Sequence, residues 1–222
     1  MTLTSHHNAL PPGTVLMEYR LTGLLGAGAF GITYLARDAH LDKDVAIKEY
    51  LPGACAARGA DGNVVPIAQQ QAQDYRWGLE RFSLEARTLA RFSHPHIVRV
   101  IRYFEANGTG YMVMDYERGE SLKHYAQSRA PLAESEIERI VAPLLDGLER
   151  VHAAGFLHRD IKPDNIFLRE DGGPVLLDFG SARRTGGASE QALTTIVTPG
   201  YAPFEQYTTS KPQGPWSDIY SL

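Results

Sequence analysis

The stretch His158–Asn165, HRDIKPDN, sets an acid, a lysine and an amide at Asp160, Lys162 and Asn165, and a second acid follows in LLDFG at Asp178. Asn165 and Asp178 offer hard oxygen atoms, of the kind Mg2+ takes alongside the waters it keeps and the phosphates of a substrate. Asp160 can accept the proton of a hydroxyl and orient that oxygen for in-line attack. Lys162 can neutralise a phosphoryl group in transfer. The plainer alternative is a solvated polar loop with an Asx-turn at Asp164-Asn165, followed by a turn after a buried strand.

Two motifs lie upstream. GAGAFG, Gly26 to Gly31, has the G-x-G-x-x-G spacing, a weak signal alone because dinucleotide folds share it. Those folds need a helix next, whereas ITYLA reads as a strand. A glycine turn between two strands can instead lie over nucleotide phosphates with its backbone N–H groups free to approach. VAIK puts Lys48 in an apolar strand beside Ala46 and Ile47. It is either an exposed surface lysine or a point cation for α- and β-phosphate oxygens, steadied by a carboxylate. Glu85, between Phe82 and Leu89 at helical spacing, is the leading partner, with Glu80 the alternative if the helix phase differs. All four motifs in this order make chance a poor explanation.

The elements that must hold these residues follow from periodicity. EYRLTGLLGAGAFGITYLARD predicts two strands about a glycine turn, DVAIKEYL a third, and residues 52–71 a loop with a small hairpin near ADGNVV. Tyr75, Leu79, Phe82, Ala86 and Leu89 recur every three or four residues, an amphipathic helix face. HIVRVIRYFEANGTGYMVMDYE predicts a hairpin turning at Asn107-Gly108. SLKHYAQSR and the segment from about Glu134 to Ala154 read as helices, the latter ended by Gly155 and kinked or begun at Pro143. Short strands at 166–168 and 175–177 flank the two acids.

Composition sets outer bounds. The chain has 222 residues, 43% hydrophobic and 22% charged, enough for one large domain or two small lobes. A net charge of −4 gives no basic field for nucleic acid. Cys55 is the single cysteine, so no intrachain disulfide forms and a reducing compartment is favoured. No apolar run spans a membrane and the first residues lack a secretory signal, so a cytoplasmic location is the default, although an anchor could follow Leu222.

Taken together, these motifs resemble the eukaryotic-type protein kinases, from Tyr19 to the last residue, and FGITYLA, VAIKEYLP and TPGYAPFEQY resemble the bacterial branch of serine/threonine kinases. The resemblance implies an α+β fold of two lobes with ATP between them. Residues 1–18 would be a lead-in, 19–116 a strand-rich N-lobe with one main helix, and 117–222 a mainly helical C-lobe. Asp160 matches the catalytic base, Lys162 the serine/threonine-type lysine, Lys48 and Glu85 the strand lysine and its helix partner, and Asn165 and Asp178 the Mg2+ ligands. Gly26, Gly28 and Gly31 match the phosphate loop. Thr33, Ala46, Met114 as gatekeeper, Phe167 and the backbone at Asp115 and Glu117 would surround adenine, with Glu120 a weaker candidate for ribose. The side chains of Asp115 and Glu117 should matter little.

His158, Phe179 and Leu89 read as core, and in the family such residues stack between the lobes of the active enzyme. Arg159 fits kinases switched on by activation-loop phosphorylation. Of Thr185, Ser189, Thr194, Thr195 and Thr198, Thr194 and Thr195 are the favoured modified sites, while Thr198 matches a threonine that positions the catalytic loop. The expected function is transfer of the ATP γ-phosphoryl group to Ser/Thr hydroxyls of protein substrates, with room for self-association in trans-autophosphorylation. The alternative is a nucleotide-binding pseudokinase or scaffold without turnover.

Departures from the pattern are informative. Thr33 replaces a valine beside adenine. Lys48 and Glu85 are further apart than usual, which marks an insertion near 52–71 of open role. APFEQ makes Glu205 the family glutamate, and its usual arginine partner has no counterpart here. Asp218 would begin the large helix beneath the catalytic loop, close to the end of the sequence. The expectation is therefore a piece of a longer kinase, poorly stable and weakly active alone, with apolar surface exposed.

Overall fold

The computed structural model describes residues 6–129, 131–170, 173–179, 183–184, 198–208 and 211–222. The chain divides into two compact units, residues 1–91 with 99–116, and residues 92–98 with 117–222.

The first unit is built on strands β1 (Val15–Leu16), β2 (Tyr19–Gly28), β3 (Gly31–Asp38), β4 (Lys43–Tyr50), β5 (Ala56–Arg58) and β6 (Val64–Pro66), helix α1 (Ala72–Leu89), and strands β7 (Val100–Ala106) and β8 (Thr109–Asp115). Six of the strands form one antiparallel sheet in the order β1-β2-β3-β4-β8-β7, and β5 and β6 pair as a separate hairpin. The β7–β8 turn uses Asn107 at φ +51° and Gly108 at φ +69°, the two left-handed residues that a tight hairpin turn matched to strand twist requires. Val45, Ala46 and Ile47 are successive buried residues in β4, which lies between β3 and β8. Helix α1 buries Tyr75, Phe82, Ala86 and Leu89 along one stripe, while Leu79 is only half-buried. Tyr50 packs its ring on Tyr75 and Phe82 at 5.5 and 5.6 Å, joining β4 to the helix. A buried side chain of the size of Phe82 or Leu89 contributes about 1.5–3 kcal/mol.

The second unit contains β9 (Gly119–Ser121), α2 (Leu122–Arg129), α3 (Glu134–Ala153), β10 (Phe156–Leu157), β11 (Ile166–Arg169), β12 (Pro174–Leu176), β13 (Arg183–Arg184) and α4 (Pro215–Ser221). Glu136 starts α3 by accepting the Ala133 N–H at 3.1 Å, and that bond holds its carboxyl below the usual range. Ile140, Leu144, Gly147, Leu148 and Val151 form the buried stripe, and α3 continues through Pro143. Gly155, at φ +77°, closes it in the left-handed conformation that ends many helices. Strands β12, β11 and β9 form a small sheet, so β11 leads out of the HRDIKPDN loop and β12 leads into Asp178. Among the described residues, no helix is long and apolar enough to cross a membrane.

Candidate active site

The loop from His158 to Asn165 joins β10 to β11, and a carboxylate from α4 grips its first residues. Asp218 Oδ2 accepts the His158 N–H at 2.9 Å and His152 Nε2 at 2.7 Å, and Oδ1 accepts the Arg159 N–H at 2.8 Å. Arg159 stands at φ +69°, a conformation that costs a non-glycine residue about 1–3 kcal/mol unless its surroundings fix it. Two backbone N–H groups held on one carboxylate supply that fixing. Asp218 is 0% exposed. Burial alone would raise its pKa, but the hydrogen bond from His152 and the two backbone N–H bonds hold it below the usual value.

His158 is also fully buried, and burial pushes its imidazole down. Its hydrogen bonds agree with the neutral form: Nδ1 accepts the Asp160 N–H at 3.2 Å, so Nε2 carries the proton given to the Leu177 carbonyl at 3.0 Å. The ring packs on Phe179 with centroids 4.2 Å apart. The Leu177 N–H in turn donates to the Asn165 carbonyl at 2.8 Å. Both ends of the loop are thereby joined to Leu177, next to Asp178, which stands at φ +57°.

Between these anchors the polar side chains converge. Lys162 Nζ donates to Asp160 Oδ2 at 2.9 Å and Oδ1 at 3.1 Å. Asn165 Nδ2 donates to the Asp160 backbone carbonyl at 2.8 Å and to Oδ2 at 2.9 Å. With Nδ2 committed, Oδ1 is the atom Asn165 offers to a cation. Thr198 completes the set. Its hydroxyl donates to Asp160 Oδ1 at 2.8 Å and accepts from Lys162 Nζ at 3.0 Å, so an alcohol lies between the acid and the lysine.

The first unit carries the remaining candidates. Gly28 and Gly31 pair across the end of the β2–β3 hairpin, and Gly26 faces Thr33. A Cβ on Gly31 would lie 1.9 Å from the Glu49 carbonyl oxygen, so the close approach of β4 demands glycine there. A Cβ on Gly26 or Gly28 would meet nothing within 4 Å. The chain's own packing does not require glycine at those two positions. Lys48 lies opposite Thr33 and Met112, and Ala46 opposite Met114. Glu85 is 9% exposed on α1.

Several side chains have roles that sequence reasoning missed. Asp115 accepts Lys43 Nζ at 3.1 Å. Glu117 holds Arg169 through two bonds, at 2.6 and 2.8 Å, and Arg169 also reaches the Pro95 carbonyl at 2.6 Å. Glu120 accepts Arg129 Nη1 at 3.0 Å, and Phe167 lies in β11 opposite Ser121 and Val175. Glu205, expected without its arginine, accepts the Ser217 hydroxyl at 2.7 Å, while Gln213 joins the Glu205 carbonyl to Arg159 Nε. Gln213 acts on the loop and His152 on Asp218 across long stretches of chain, so neither carries a local signal. Thr185, Ser189, Thr194 and Thr195 lie outside the described residues.

Comparison with known proteins agrees with this arrangement. The model of the protein kinase domain matches residues 19–222. The chain is 34% identical over 216 residues to serine/threonine-protein kinase PknA of Nostoc sp. (strain PCC 7120 / SAG 25.82 / UTEX 2576), covering 92% of this chain and 35% of that protein. It is 33% identical to serine/threonine-protein kinase C of Synechocystis sp. (strain ATCC 27184 / PCC 6803 / Kazusa), covering 92% and 37%. The chain thus spans about a third of the length of these curated relatives. A solved structure titled "PpkA-294 apo form" superposes with a TM-score of 0.84 at 38% identity, over 97% of this chain and 76% of that one. The α+β fold, a strand-rich unit with one main helix and a mainly helical unit, is the protein kinase fold.

Proposed function

Because the chain belongs to the protein kinase domain family, we propose that it transfers the γ-phosphoryl group of ATP to serine and threonine hydroxyls of proteins. The observation that carries this reading is the Asp160 carboxylate, held by Lys162 and Asn165 of its own loop and by Thr198 from a later segment. Asp160 orients the acceptor hydroxyl and takes its proton, and Lys162 offsets the negative charge of the group in transfer. Lys48 binds α- and β-phosphate oxygens, with Glu85 as its partner. Gly26 and Gly28 let backbone N–H groups approach the phosphates, which accounts for glycine where internal packing does not ask for it.

The family uses ATP and Mg2+ in general. Among the described residues no three or more His, Cys, Asp and Glu side chains gather into a metal cage. The donor set instead suits Mg2+, which binds through one or two protein oxygens with water and phosphate as the rest. Asn165 Oδ1 and the Asp178 carboxylate would hold it. When bound, it neutralises phosphate charge and aligns the phosphates. Phosphorylation of Thr194 or Thr195, in trans between two copies, belongs to the same proposal. Arg159 Nε now rests on the neutral Gln213 Oε1 at 2.6 Å, a partner that an anionic phosphate would displace.

The test is transfer of label from γ-labelled ATP to an added protein substrate, followed by phosphoamino-acid analysis, beside Lys48→Met. Label on serine and threonine that disappears in the variant is the expected result. Label on tyrosine alone, or equal label in the variant, would overturn the proposal.

A further inference from the structure

The stretch that lengthens the chain between Lys48 and Glu85 contains the β5–β6 hairpin, and one of its side chains reaches into the sheet. Successive residues of a strand point to opposite faces, so Lys48 and Glu49 leave β4 on different sides. Glu49 is 0% exposed. Its carboxylate accepts the Tyr34 hydroxyl of β3 at 2.8 Å and the Tyr111 hydroxyl of β8 at 2.5 Å, and it forms an ion pair with Arg58 Nη2 of β5. The Arg58 side chain is 10% exposed. It gives its other N–H groups to backbone carbonyls, Nη1 to Gly62 at 2.9 Å within the hairpin and Nε to Asn8 at 2.8 Å in the lead-in.

The hairpin is fastened at further points. The Val64 N–H donates to the Asn107 carbonyl at 2.8 Å. Gly108 approaches so closely that a Cβ there would lie 2.7 Å from the Val64 carbonyl oxygen. Gln71, at the entry to α1, donates to the Ala54 carbonyl at 3.1 Å, and the Tyr75 hydroxyl of α1 donates to the Gly108 carbonyl at 2.8 Å. The inserted segment therefore ties β4 to the β7–β8 turn, and Tyr75 joins the start of α1 to that same turn.

We propose that the β5–β6 hairpin braces the phosphate-binding strand, and that Arg58, acting through Glu49, is a positioning residue for nucleotide binding by Lys48. The proposal rests on the reading of Lys48 given above. A carboxylate kept from water is tolerated when it is paired and hydrogen-bonded. Tyr34 and Tyr111 are neutral donors, and Arg58 supplies the positive charge. Without it, Glu49 gains relief only by moving toward water or by taking up a proton. Lys48 and Glu49 share a peptide bond, so movement of one displaces the other. Negative charge moves onto the β-phosphate oxygens as the γ-phosphoryl group leaves, so Lys48 acts more in the transition state than in the ground state, and its displacement lowers kcat/KM through kcat as well as KM.

Steady-state kinetics, with the folded fraction from circular dichroism, test this on the chain and on Arg58→Met, Arg58→Lys and Lys48→Met. Arg58→Met is expected to lower kcat/KM for ATP about tenfold per folded molecule. Arg58→Lys keeps the charge and loses the fork, so about threefold is expected. A wild-type kcat/KM in folded Arg58→Met would overturn the brace. If Arg58→Met does not fold, Arg58→Lys decides, and an unchanged kcat/KM there overturns it. A wild-type kcat/KM in Lys48→Met refutes the lysine reading and the brace with it. A lost kcat/KM in Lys48→Met beside a wild-type value in Arg58→Met refutes the brace alone.

Discussion

Asp218 and Glu49 are both carboxylates with no exposed surface, one in each unit, and they hold their surroundings in different ways. Asp218 grips backbone: two consecutive N–H groups and one imidazole converge on it. A backbone grip dictates conformation, and the left-handed Arg159 follows from it. Glu49 receives side chains from β3, β5 and β8, so its grip dictates which segments stay together rather than how any one of them turns. The two sites indicate that a buried acid can set either a local dihedral or a tertiary junction, depending on whether its donors belong to the main chain.

That difference can be broken experimentally. Asp218→Ala leaves two buried N–H groups and His152 without their acceptor, and should cost about 3–5 kcal/mol in urea unfolding. It should also lower kcat about a hundredfold in whatever protein folds, because the loop carrying Asp160 loses its shape. Glu49→Gln keeps an oxygen for the phenols and should cost stability with a fall in kcat no greater than about tenfold. An equal fall of kcat in folded Glu49→Gln would erase the distinction.

The glycines sharpen the same contrast between local and tertiary demands. Gly31→Ala drives a methyl into the Glu49 carbonyl and should cost about 3 kcal/mol of stability, seen as a lowered Tm. Gly26→Ala meets no protein atom, so its stability should stay within about 0.5 kcal/mol while KM for ATP rises. A KM that stays at the wild-type value would remove the phosphate role from that turn. Thr198→Ala removes two hydrogen bonds and should reduce kcat about tenfold, with recovery in Thr198→Ser, as steady-state assays would show.

The smallest effect is a dependence on pH. Burial keeps His158 neutral below its ordinary value of 6.5, so as pH falls below about 6.5 the unfolded chain binds a proton that the folded chain refuses, and stability declines. The Asp218 contribution, from a depressed pKa, is complete above the ordinary value of 3.8 and is lost only as pH falls further. Urea unfolding between pH 7 and 5 should show the first decline, at most about 1.4 kcal/mol per pH unit, and His158→Gln should flatten it.

What sequence could show follows from how far apart the partners lie. Asp160, Lys162 and Asn165 share one loop, so residue types at short spacing already grouped them, and the structure brings their side chains together. The α1 stripe was legible for the same reason, because a helical period depends on neighbours. The Arg58–Glu49 pair, the Asp218 grip on His158 and the Glu117–Arg169 fork join distant segments. Nothing in the local pattern around Arg58 distinguishes it from a solvated loop arginine. Glu49 reads as a polar residue in an apolar strand, and only Tyr34 and Tyr111 on the adjacent strands reveal why it is tolerated.

The central claim is that Asp160 lies at the centre of a phosphoryl-transfer site. It is tested most directly by incubating the chain with Mg·ATP beside Asp160→Asn and mapping phosphate by intact mass and peptide analysis. Phosphate on serine or threonine, at Thr194 or Thr195 in particular and absent from the variant, is the predicted result. Equal phosphate in both proteins, or none in a wild-type chain that is folded and binds ATP, would contradict the account.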